Sequence, residues 1–108
     1  MSEYDQRQYR LMLEQLTAFQ SGQIYIDRLI GNLQGLLNAL QSPDSTWKQS
    51  FLSLWGQLED ARAMALFRGA ENLNEQESIV VGSALAKLKP MVLEKIDDAD
   101  LPRNINRT

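Results

Sequence analysis

The chain has 108 residues, 44% of them apolar and 23% charged, with a formal net charge of −3 and neither cysteine nor histidine. That is enough apolar material for one packed domain, and it leaves disulfides, thiol catalysis and histidine-based zinc sites out of consideration. Eleven bases against fourteen acids, with no Lys/Arg stripe, make a poor phosphate-binding surface, so nucleic acid is not an expected partner.

Few prolines and glycines among many Leu, Gln, Ala and Glu favour helix. The first helix is expected from about Glu3 to Phe19, with Ser2 as N-cap and Asp5 as an imperfect capping-box partner. Tyr9, Met12, Leu13, Leu16 and Phe19 recur on one face, and Gly22 suits a left-handed C-cap. The second helix, about Ile24 to Gln41, has the clearest amphipathic pattern: Ile26, Leu29, Ile30, Leu33, Leu36, Leu37 and Leu40 share one side. Gly31 and Gly35 sit opposite. Each costs about 1 kcal/mol relative to alanine in a helix interior, so either a partner or a second helix of this chain is expected to pack there.

Ser42-Pro43-Asp44-Ser45 stops one helix and starts the next, with Ser42 or Ser45 as cap and Asp44 near the positive helix end. The third helix, about Thr46 to Arg68, carries Trp47, Phe51, Leu54, Leu58, Ala61 and Ala65 on a narrow stripe, flanked by a partly buried Trp55. Gly69 ends it, and Asn74-Glu75-Gln76-Glu77 opens a fourth helix, about Glu75 to Ile96. Val81, Ala84, Leu85, Leu88, Val92 and Ile96 form its apolar stripe. Pro90, on the outer side, is expected to kink or split it. Periodicity stops at Asp97. The expected architecture is therefore all-α: an antiparallel four-helix bundle with short loops over residues 1–97, followed by a flexible tail over 98–108.

The polar start lacks a signal-peptide layout, and no apolar run approaches the roughly 20 residues of a membrane span, so a cytoplasmic protein is expected. No nucleophile elbow, phosphate loop or carboxylate metal motif is present, and the acids read as caps or solvated positions, so no enzyme and no cofactor are expected. The charge is unevenly placed. Residues 59–77 hold five acids and two bases and account for the whole net deficit. Glu59, Asp60, Glu71, Glu75 and Glu77 are expected to face outward, with Asp27 and Asp44 as additions, as a complement to a basic protein partner.

Three segments carry a resemblance: the run IYIDRLIGNLQGLLNAL from Ile24 to Leu40, the spacing Trp47-x3-Phe51-x3-Trp55-x2-Leu58-Glu59, and LNEQE over Leu73–Glu77. Together, over about residues 24–92, the chain resembles the small helical immunity proteins encoded beside bacterial polymorphic toxins, including those of contact-dependent growth inhibition. The resemblance implies a cytoplasmic antidote that binds one cognate toxin domain and blocks its active site or substrate path. Many such toxins are nucleases with basic surfaces, which the acids of 59–77 would suit. Two other readings stand beside it. A secretion chaperone or small adaptor would hold a client helix on the Gly31/Gly35 strip, and a small helical enzyme or carrier would be built around Trp55. Oligomeric state is left open by the residues.

Overall fold

The computed structural model describes residues 3–96 and contains four helices, α1 (Glu3–Gln20), α2 (Ile26–Ala39), α3 (Ser45–Phe67) and α4 (Glu75–Leu93), with no strand among the described residues. Each packs on its neighbours in a closed ring, α1 on α2, α2 on α3, α3 on α4 and α4 on α1. Contacts between opposite ends show that neighbours run antiparallel. Asp5 at the start of α1 meets the segment just after α2, Arg62 late in α3 meets Asp27 early in α2, and Gln6 meets the Lys95 carbonyl beyond α4. The chain is an all-helical four-helix bundle.

The predicted stripes form the core. Met12, Leu16, Leu29, Leu33, Phe51, Leu58, Leu88 and Val92 are buried together, with Ala61 and Ala84 where helices approach closely. Trp47 binds three helices at once. It stacks on Phe51 with ring centres 5.2 Å apart, meets the edge of Tyr9 from α1 at 5.3 Å, and donates its Nε1–H to the Met91 carbonyl of α4 at 3.0 Å. The indole thus buries its apolar area without leaving its one donor unpaired.

The helix ends follow local chemistry, with some departures from expectation. Gly22 (φ +78°) and Gly69 (φ +76°) close α1 and α3 with Schellman hydrogen bonds, Gln23 N to Ala18 O and Ala70 N to Ala65 O among them. α2 starts two residues later than expected, at Ile26, because Tyr25 is extended and gives no side-chain cap. Asp44, rather than Ser42 or Ser45, is the N-cap of α3, accepting from the Trp47 amide at 2.9 Å. α4 is not split: it runs unbroken through Pro90, which faces outward, and the ring's missing N–H falls on the exposed side. Ser2 and the tail beyond Ile96 lie outside the described residues.

Asp5 takes a role beyond its own helix. It is 1% exposed, and its two carboxylate oxygens accept from the amides of Gln41 (2.9 Å) and Ser42 (3.0 Å). These are amides that the α2–α3 connection would otherwise leave unsatisfied in a half-buried place. One acid on α1 therefore fixes the path of a turn that lies a whole helical hairpin away.

Candidate interaction surface

Six of the seven candidate acids lie toward one end of the bundle, where α2 and α4 begin and α3 ends. Two clefts of about 400 Å³ each lie there, side by side along α2 and α3, and share Asp27, Arg62 and Leu66. The first continues past Tyr25 to Glu71 and Leu73 in the α3–α4 loop. The second is bounded by Ile30, Gly31, Glu59 and Asp60.

The same end exposes large apolar side chains. Phe67, the last residue of α3, is 94% exposed and Tyr25 is 82% exposed, with Leu66 and Met64 also more than half exposed. Helical geometry explains this. The α3 stripe of Trp47, Phe51, Leu58, Ala61 and Ala65 consumes the inward face, so Met64, Leu66 and Phe67 must point elsewhere. The sequence carried that signal, three large apolar residues off the stripe, but reading the stripe alone misses them. Tyr25 and Leu66 line the first cleft, whereas Met64 and Phe67 line a separate one beside Asn74 on the α4 side. Exposed apolar patches of this kind mark candidate interaction sites.

The seven predicted acids fare differently. Glu59, Asp60, Glu71 and Glu75 are exposed, and among the described residues no side-chain hydrogen bond or ion pair engages them. Asp27 is exposed but already answered: Arg62 clasps it with two hydrogen bonds, from Nε to Oδ1 and from Nη2 to Oδ2, the latter at 3.0 Å. The Arg62 guanidinium holds the Asp27 carboxyl below its usual range. Asp44 is at the opposite end, spent on capping α3. Glu77 corrects the expectation of an outward acid, being only 3% exposed. Its carboxylate accepts from the Asn74 amide at 2.8 Å while Asn74 Oδ1 accepts from the Glu77 amide at 2.8 Å, which completes a capping box. Arg68 then donates to both carboxylate oxygens, at 2.5 and 3.1 Å, and this bond with Arg68, followed by the Asn74 amide, pulls the Glu77 pKa down. Glu77 is the internal brace that holds the α3–α4 loop, and with it Glu71, in place.

The Gly31/Gly35 strip is also resolved. A Cβ at either glycine would meet nothing within 4 Å, so among the described residues no other helix packs against it. Gly31 belongs to the second cleft and leaves it open. Trp55 is half-buried and donates its Nε1–H to the Ile30 carbonyl at 2.9 Å, which ties α3 to α2 and uses the indole donor internally. No cluster of three or more potential metal-ligating side chains occurs among the described residues, and no helix is long and apolar enough to cross a membrane.

The balance of charge at this end follows from these pairings. Arg62 and Arg68 pair with Asp27 and Glu77, and the four remaining acids, Glu59, Asp60, Glu71 and Glu75, outnumber the exposed Arg28 at this end and set the sign of its surface. The comparisons add no relative: no family model, curated protein or solved structure matches the chain.

Proposed function

We propose that this protein is an immunity protein: a binding module that neutralises a cognate bacterial toxin domain, nucleases among the candidates, by covering it with the acidic end of the bundle. The observation that carries the reading is the coincidence of exposed Tyr25, Leu66 and Phe67 with the unengaged carboxylates of Glu59, Asp60, Glu71 and Glu75. Apolar anchors supply affinity once desolvated, and a surrounding field of one sign speeds encounter with a surface of the other. A basic substrate-binding surface on a nuclease domain is such a counterpart, and the acids would stand where nucleic-acid phosphates otherwise lie. The reading needs no chemistry from this chain, which acts in the cytoplasm, where such a toxin does its damage.

The test is neutralisation. The toxin domain encoded by the adjacent gene is produced with this protein and growth is scored, with Glu59, Asp60, Glu71 and Glu75 changed together to Lys in a parallel strain. Rescue by the parent chain and loss of rescue by the folded variant is the expected result. Rescue by both removes the acidic end from the mechanism, and rescue by neither removes the function.

A second reading rests on the open Gly31/Gly35 strip. Its lack of an internal neighbour suits a secretion chaperone or adaptor that lays a client helix against α2. Gly31→Leu would abolish client binding under that reading and leave the fold intact.

A further inference from the structure

The two clefts along α2 and α3 adjoin at the Asp27–Arg62 ion pair, which crosses from one helix to the other, and together they form a groove with that pair at its middle. They share Asp27, Arg62 and Leu66, and the groove runs from Glu59 and Gly31 at one end to Leu73 at the other. Its floor is apolar, made by Ile26, Ile30 and Ala65. At Gly31 the absent side chain leaves the wall low, with nothing within 4 Å of a Cβ built there. Leu66, more than half exposed, lines both clefts from the last turn of α3.

We propose that the occupant of this groove is a basic amphipathic helix from another protein, its apolar face on the floor and on Leu66, its lysines or arginines toward Glu59, Asp60 and Glu71. The valley between two packed helices accepts a third along its length, with side chains at i, i+3, i+4 and i+7 as anchors. Charge selects the partner. The Asp27–Arg62 pair is neutral as a unit, and the carboxylates of Glu59, Asp60 and Glu71 outnumber the exposed Arg28, so the net field over the groove is negative. A second copy of this chain would bring like charges together, and the chain as a whole carries −3. This inference rests on reading the acidic end as a protein-binding surface. It does not require that the partner be a toxin.

The probes are three synthetic helical peptides about five turns long: leucines on one face with lysines on the other, the same leucines with glutamates, and lysines with serines in place of the leucines. Titration calorimetry with the full chain, together with amide NMR, reads affinity and location. The lysine–leucine peptide is expected to bind, to shift resonances within residues 26–31 and 59–73, and to weaken as salt rises. Leu66→Ser is expected to weaken it roughly tenfold, the size of one anchor residue, and Gly31→Leu to abolish it. Both side-chain changes are at exposed positions, so unchanged melting temperatures or higher ones certify the fold. Equal binding by the glutamate–leucine or lysine–serine peptide overturns the proposal. So do resonance changes elsewhere, self-association at the groove, or no binding at all. The immunity reading fails separately. Toxin neutralisation that survives Gly31→Leu leaves the antidote and removes the groove, whereas peptide binding without any neutralisation does the reverse.

Discussion

Replacing Gly31 and Gly35 with alanine separates stability from binding. Both lie inside α2, and both would place a Cβ where nothing stands within 4 Å, so neither substitution meets a steric penalty. What remains is helix propensity, about 0.8–1.0 kcal/mol per site, or nearly 2 kcal/mol for the pair if the two effects add. With an unfolding entropy of about 2.1 cal/mol/K per residue, that gain over 108 residues is a rise in Tm of roughly 8 °C. Urea titration followed by tryptophan fluorescence checks the magnitude, because buried Trp47 reports directly on loss of the core. The double variant should shift the midpoint upward with an unchanged slope. A destabilised double variant would refute the reasoning, since it would mean that something packs against the α2 backbone and that the groove is not open. Gly31→Leu should also gain stability, by somewhat less than alanine, and a loss of partner binding beside that gain identifies an interface residue rather than a structural one.

Asp5→Ala should be costly for a residue so close to the chain's start. It removes the acceptor of the Gln41 and Ser42 amides, and hydrogen bonds to a charged group are worth about 1.5–3 kcal/mol, so a loss of at least about 2 kcal/mol is expected in the same urea assay. A loss within about 0.5 kcal/mol, typical of surface positions, would contradict the capping role given to this carboxylate. Acid should loosen the α3–α4 loop. The folded-state pKa of Glu77 is depressed below its ordinary 4.5, so the stabilisation it provides is complete above that value and disappears as pH falls through the lower folded-state value. Urea midpoints measured from pH 7 to pH 3 should therefore fall, and Glu77→Gln should start lower at pH 7 and fall less. Parallel curves for the two proteins would show that the Arg68–Glu77 pair does not carry this dependence.

Helical identity was written locally in this chain, because periodicity, capping residues and left-handed glycines act within a few residues of one another. The stripes of α2 and α3 and the capping box of Asn74 and Glu77 are all readable that way, and so is the bundle, since four apolar faces have only each other to cover them. Pro90 shows the limit of local reading. A residue that ordinarily interrupts a helix is tolerated when packing of Leu88 and Val92 holds the backbone on either side and the ring faces out. The acids show it more sharply. Their positions in the sequence set Glu77 apart from exposed Glu75 through the capping box, but could not show its pairing with Arg68, because that depends on an arginine at the end of another helix. Nor could they reveal that Asp27 is answered by Arg62, that Asp5 reaches across to the α2–α3 turn, or that Tyr25 and Leu66 line one cleft with Glu71. Charge and burial at a site are sums over elements distant in the chain. Only the tertiary packing brings those elements together, and it alone decided which of these side chains are left facing outward.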